Sequence, residues 1–237
     1  MIDLPPPSLH AVAAGAPIVW IQAGHAAPRE PGYAAQTGAG GGPFGSEIGF
    51  TTRVRARIIA RLRADGVDAR PMNGLISPLG ARGAVFVSMH HDSPGGRSGV
   101  GHAFAGTAEN WYHGEGFGTP SPTPYADSAP HRRAFPVTAT VERRSGDLAR
   151  RIASSYRRLL DSSSLDRSSF GGVESRNGNA RMTRFHGFFR TRAAARVIVE
   201  AGAAGADDAF LARVDPIAAA VTTGIESHLR ARGLMPR

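Results

Sequence analysis

The chain has 237 residues, 41% of them hydrophobic, which suits one compact domain with a core of ordinary size. Cysteine is absent, so a disulfide scaffold and thiol catalysis are excluded, and any transition metal must be held by histidine and carboxylate. The formal net charge is +9 and all 28 basic residues are arginine, which fits a solvated surface or a preference for a polyanion such as nucleic acid, an anionic membrane or a bacterial wall.

Residues 1–16 are rich in Pro and Ala and read as a flexible lead-in to a single domain over 17–237. They lack a basic segment followed by an apolar core, so no signal peptide is expected in them. No run of eighteen apolar residues occurs anywhere, so no transmembrane helix is expected. The segment PIVWIQ, 17–22, reads as a buried strand, because β-branched and aromatic residues are bounded there by Pro17 and Gly24. Ala26 to Gly45 is dominated by Gly, Ala and Pro and reads as a loop. Residues 46–65 predict an amphipathic helix, with Ile48, Val54, Ile58, Ile59 and Leu62 on its apolar stripe and Gly66 closing it.

A short strand follows at 67–72. AVFVSM, 84–89, is an unbroken apolar run suited to a central strand, and VGHAFA, 100–105, reads as its neighbour. Residues 106–144 are too rich in Pro, Ser and Gly for regular structure and too poor in apolar residues for a second domain. They read as a loop insertion or lid. Residues 145–161 predict a second amphipathic helix, N-capped by Ser145. ARVIVE, 195–200, is a further buried strand, and 206–214 and 216–232 read as helices.

Strands that alternate with helices predict an α/β domain. The expected architecture has three layers: a mostly parallel central sheet with helices on both faces. Ligands of such sheets gather at the C-terminal ends of the strands. Three candidate groups fall there: His25 after PIVWIQ, His90-His91-Asp92 after AVFVSM, and Glu200 at the end of ARVIV. Glu47, in the first turn of the first helix, returns to the same edge.

Two histidines and one carboxylate are a common ligand set for catalytic zinc, with an open position for water. A separate carboxylate is then needed to accept the water's proton. His25, Glu47 and His90 are the candidate ligands of one zinc ion, and Glu200 is the candidate base. Adjacent strand residues face opposite ways, so one of His90 and His91 reaches the metal. His90 is preferred and His91 is the alternative; His91 and Asp92 otherwise line the cleft or support the ligands. His186, in RFHGFFR, is a candidate cleft-wall residue, and Arg184 and Arg190 are candidates to hold substrate carboxylates. His10 and His228 read as surface residues.

Taken in order, IVWIQAGH, SEIGFTTRVRARIIARLRADGV, VFVSMHHDS and ARVIVEAG resemble the zinc-dependent N-acetylmuramoyl-L-alanine amidases of the third amidase type, over roughly residues 17–232. The resemblance implies cleavage of the amide between the lactyl group of N-acetylmuramic acid and the L-alanine of the stem peptide. It also implies a peptidoglycan or muropeptide substrate and action outside the cytoplasm, in the periplasm, in the wall or after secretion. No nucleic-acid partner is expected, since no helix-turn-helix, zinc-finger or RNA-recognition pattern occurs.

The sequence departs from the family pattern at Gln22, at Ala26-Ala27, at His91 and in AGAAGADD after Glu200. These departures keep two other readings open. One is a related zinc amidohydrolase or carboxypeptidase acting on a small acyl-amino acid or peptide. The other is a catalytically inactive wall-binding protein.

Overall fold

The computed structural model describes residues 15–26, 38–74, 78, 80–96, 98–103, 105, 135, 137–162, 170–173 and 191–236. In chain order the elements are β1 (Ile18–Ala23), α1 (Glu47–Ala64), β2 (Asp68–Met72), β3 (Arg82–Asp92), β4 (Ser98–His102), α2 (Ala139–Asp161), β5 (Phe170–Val173), β6 (Arg192–Ala203), α3 (Asp208–Leu211) and α4 (Val214–Ala231). They build one six-stranded sheet in the order β2-β1-β3-β6-β4-β5. The β1–β2, β1–β3, β3–β6 and β4–β5 pairs are parallel, and β4 runs antiparallel to β6. The sheet is therefore mixed but mostly parallel, in line with the expected class.

Alternation along each strand decides what faces what. Val19 and Ile21 of β1, Val85, Val87 and Met89 of β3, and Val197 and Val199 of β6 join one large core with the buried stripes of α1, α2 and α4. Helix α4 packs against both α1 and α2, so these three helices share one face of the sheet. Val54, Ile58 and Leu62 of α1 are fully buried there, each contributing about 1.5–3 kcal/mol. Trp20, Met72, Phe86 and Ala193 form a smaller cluster on the other face. On that face Arg196 donates to the carbonyl of Phe135, and Arg192 lies over the Phe135 ring. A second helical layer is not found among the described residues.

The central strands are longer than their apolar runs. β3 continues through His90, His91 and Asp92, and β6 continues three residues past Glu200, so these groups stand within paired backbone rather than on loops. The second predicted helix begins earlier than expected. Thr138 is its N-cap, with its hydroxyl accepting from Val141 N, and Ala139–Arg144 form its first turns. The expected insertion therefore overlaps α2 by these six residues, and 106–134 lie outside the described residues.

Ser145 is not a cap. It is buried inside α2, donates to Val141 O and accepts from Arg196 N, which ties the helix to β6. Hydroxyl residues favour caps, but a buried hydroxyl with two partners is equally satisfied inside a helix. Helical structure over 206–214 is limited to the short α3 and to Val214, the first residue of α4, and Phe170–Val173 add a strand that the sequence pattern did not signal. Lead-in residues 1–14 lie outside the described residues.

Candidate metal centre

Residues 38–45 lead into Ser46, whose hydroxyl caps α1 by accepting from Gly49 N. Glu47 opens that helix, where the macrodipole favours a negative charge. It is held twice by one residue: its N–H donates to Ala39 O at 2.9 Å and its Oε2 accepts from Ala39 N at 2.7 Å. Its Oε1 accepts from His90 Nδ1 at 2.7 Å, and Oε2 lies 3.7 Å from His25 Nε2. The rings of His25 and His90 meet edge to face at 5.0 Å between centroids. One ligand atom from each of His25, Glu47 and His90 lies within 4.8 Å of the others.

His25 reaches this cluster through a backbone φ of 59°, unusual for a residue with a side chain. α1 secures this turn: Thr51 Oγ1 donates to Gly24 O at 3.0 Å. Two glycines leave room for the cluster. A methyl group at Gly24 would overlap the His90 ring. At Gly38, with φ +69°, a Cβ would stand 2.6 Å from Glu47 Oε2 and 2.8 Å from the His25 ring.

Burial by itself would raise the Glu47 carboxyl. The hydrogen bond and charge of His90, the charge of His25 and the Ala39 N–H outweigh it and hold the group down at about 2. The carboxylate is therefore ionised at any physiological pH.

The donor chemistry and the cradle fit a zinc ion. Two imidazoles and one ionised carboxylate converge in a nearly dry pocket, with Glu47 and His90 each 3% exposed. Ala39 holds the carboxylate from behind, with its N–H donating to Oε2, as groups that orient metal-binding carboxylates do.

Glu200 lies beside this cluster. It is the register partner of His90 across the parallel β3–β6 pair, so both side chains leave the same face of the sheet about 4.8 Å apart along the hydrogen-bonding direction. On its other side its partner is Gly99 of β4. Gly24, whose N–H donates to Met89 O, continues the row past His90. Across four neighbouring segments the row thus reads Gly24, His90, Glu200, Gly99, with two polar side chains between two residues that have none. The β3–β6 register slips immediately beyond, between His90 and Asp92. Such bulges recur beside functional sites, where they re-aim side chains.

His91 is on the opposite face. Its ring packs against Phe50 of α1 at 5.6 Å, and it is 1% exposed. It is part of the helix-side packing and does not join the cluster. Asp92, half-buried at the end of β3, accepts from Ser93 N, and its carbonyl accepts from Ala204 N. Gln22, 3% exposed, donates to the carbonyls of Asn73 and Gly74 and so pins the end of β2 rather than entering the cluster. Arg184, His186 and Arg190 lie outside the described residues.

His228 corrects the expectation of a surface residue. It is 2% exposed, and its Nδ1 donates to Asp147 Oδ2 at 2.8 Å, joining α4 to α2. Its place in the stripe Ile217, Val221, Ile225, His228 at helical spacing was the available signal. The role of Gly24 and Gly38 in making space was likewise not foreseen. A glycine's close approach to a side chain across the sheet leaves no trace in local pattern.

No family model and no curated protein sequence matches the chain. Solved structures do. It is similar to the N-acetylmuramyl-L-alanine amidase Ami1 from Mycobacterium smegmatis, with a TM-score of 0.57 and 17% identity over 90% of this chain and 97% of that one. It is similar to the corresponding Ami1 from Mycobacterium abscessus, with a TM-score of 0.53 and 18% identity over 90% and 98%. The catalytic domain of CwlV, an N-acetylmuramoyl-L-alanine amidase from Bacillus (Paenibacillus) polymyxa var. colistinus, gives a TM-score of 0.52 and 16% identity over 90% and 98%. The chain has the fold of these N-acetylmuramoyl-L-alanine amidases.

Proposed function

We propose that this protein is a zinc-dependent amidase that cleaves the bond between N-acetylmuramic acid and L-alanine in peptidoglycan. The observation that carries the reading is the conjunction of a His25–Glu47–His90 cluster with Glu200 as the register neighbour of His90, within this fold. Fold alone does not assign chemistry; the site does.

His25, Glu47 and His90 would hold one zinc ion. When bound, zinc supplies a water acidified toward neutrality and a Lewis acid for the scissile carbonyl. The protein's own part is positional and acid–base. Ala39 fixes the Glu47 carboxylate, and the turn at Gly24-His25, held by Thr51, fixes the first imidazole. Glu200 accepts the proton of the attacking water at its carboxylate and delivers it to the nitrogen of the leaving L-alanine. Gly99, the register partner of Glu200 on β4, sets no side chain beside it. The substrate would place the action in the cell envelope. No described helix is long and apolar enough to cross a membrane.

The test is digestion of purified sacculi by wild type, by Glu200→Gln and by chelated wild type, with zinc measured in each preparation. The reading expects wild type alone to release intact stem peptides with a new L-alanine amine. Release of terminal amino acids instead, or turnover only of small acyl-amino acids, would replace it with a carboxypeptidase-like or small-substrate reading. Binding to sacculi with no new amines, in a zinc-loaded sample, would leave a wall-binding protein.

A further inference from the structure

Helix α2 carries its arginines in pairs: Arg143-Arg144, Arg150-Arg151 and Arg157-Arg158, each seven residues after the last. Seven residues fall about 20° short of two full helical turns, so the pairs stack into two nearly straight columns. From Arg143 to Arg157 the columns run about 21 Å along the axis. They lie opposite the buried stripe of Leu148, Ala149, Ile152 and Tyr156. Arg143, Arg150, Arg157 and Arg158 are exposed, and Arg144 and Arg151 are half-buried.

Of the six, Arg151 pairs with a carboxylate, that of Asp147. The others make no ion pair among the described residues; Arg143 and Arg158 bond only to hydroxyls of their own helix.

The columns are flanked by two grooves. One, of about 360 Å³, lies between α2 and the end of α4 and takes Arg143, Arg144, Arg151 and Arg232 into its walls. The other, of about 420 Å³, lies between α2 and β5 and takes Arg150, Arg157 and Arg158. The ladder starts beside the middle of β6, where Ser145 accepts from Arg196 N, and runs toward the end of β6 that holds Glu200, where Tyr156 donates to Ala201 O.

We infer that this face of α2 binds a linear polyanion with phosphodiesters in its backbone and neither bases nor acyl chains, of the poly(glycerol phosphate) type. The chemistry selects it in three ways. Guanidinium forks on both sides of a track suit a chain charged in its backbone, which is contacted from either flank. A membrane surface would call for an apolar face to insert, and that of α2 is spent on the core. A single-stranded nucleic acid would call for aromatic platforms, and no aromatic residue stands among the exposed positions of α2. The inference stands apart from the amidase reading, since it uses none of the residues of the metal cluster.

The test is binding of the full chain to fluorescent poly(glycerol phosphate) over a salt series, comparing wild type with Arg143→Gln/Arg150→Gln/Arg157→Gln. A second triple variant, Arg57→Gln/Arg61→Gln/Arg63→Gln on exposed positions of α1, removes the same charge elsewhere. The ladder variant is expected to bind at least tenfold more weakly at 0.1 M salt. The slope of log Kd against log salt is expected to fall by about two, as three lost phosphate contacts require. The α1 variant is expected to keep most of the wild-type affinity. Equal losses in the two variants would overturn the inference in favour of net charge alone. Tighter binding of oligothymidylate, of polyglutamate or of anionic vesicles than of poly(glycerol phosphate) would overturn the assigned chemistry. A circular dichroism melt within a few degrees of wild type shows that the ladder variant is folded.

Discussion

His90 and Glu200 are register partners on the two central parallel strands, with their side chains on one face and a glycine beyond each. Neither has to be brought over by a flexible loop. A pair fixed by backbone hydrogen bonds keeps its separation without conformational search, which is what the proposed ligand and proton acceptor need.

The first prediction concerns that pair. Glu200→Gln is isosteric but cannot take a proton from water. Stem-peptide release should fall roughly 100- to 10,000-fold, while zinc content stays at one per chain. A loss of zinc in parallel with activity would move Glu200 from proton acceptor to ligand.

A second prediction separates the two neighbouring histidines. His90→Ala should abolish zinc retention after dialysis against metal-free buffer, as should His25→Ala and Glu47→Gln. His91→Ala should retain zinc, because that ring packs on Phe50 across the sheet, and should lower stability by about 1–3 kcal/mol. Elemental analysis and urea unfolding read the two outcomes independently. Zinc lost from His91→Ala at unchanged stability would reverse the assignment.

Space around the cluster gives a third. Gly24→Ala adds one methyl group that overlaps the His90 ring, whereas Gly40→Ala meets nothing within 4 Å. Zinc affinity measured against a competing chelator should drop about 10–100-fold in the first variant, a loss typical of disturbing a ligand's support. The second should match wild type. Equal affinities would show that the turn at Gly24 yields without moving His90.

The fourth prediction is a pH dependence of folding set by His228 and Asp147. Burial pulls the His228 imidazole below its ordinary 6.5, against the opposing hydrogen bond and charge of Asp147. The folded state therefore prefers the neutral ring. Its contribution is fully present above 6.5 and is lost as the pH falls from 6.5 through the lowered folded value.

Asp147 adds a second, lower step. Burial would raise it, but Arg151 and His228 hold it below its ordinary 3.8, so its contribution persists above 3.8 and disappears in stronger acid. Thermal melts of the zinc-loaded protein should lose midpoint between pH 7.5 and 5.5. His228→Gln, which keeps a side-chain donor but does not titrate, should flatten that slope. An unchanged slope in the variant would assign the acid sensitivity elsewhere.

Local pattern made much of this protein legible. Apolar runs marked β1, β3 and β6, that of β1 bounded by Pro17 and Gly24, because a doubly buried strand must be apolar over its length. The 3.6-residue stripe marked α1, α2 and α4, and the position of His25, Glu47, His90 and Glu200 near strand ends followed once the sheet was taken as parallel. What local pattern did not carry were facts about neighbours distant in sequence. The antiparallel entry of β4, the buried hydroxyl of Ser145 against β6 and the burial of His228 against Asp147 each depend on a partner at least 51 positions away. So does the row Gly24, His90, Glu200, Gly99. Each residue in it is ordinary where it stands in the chain, and only strand order and register, set by the packing of the whole core, put them side by side.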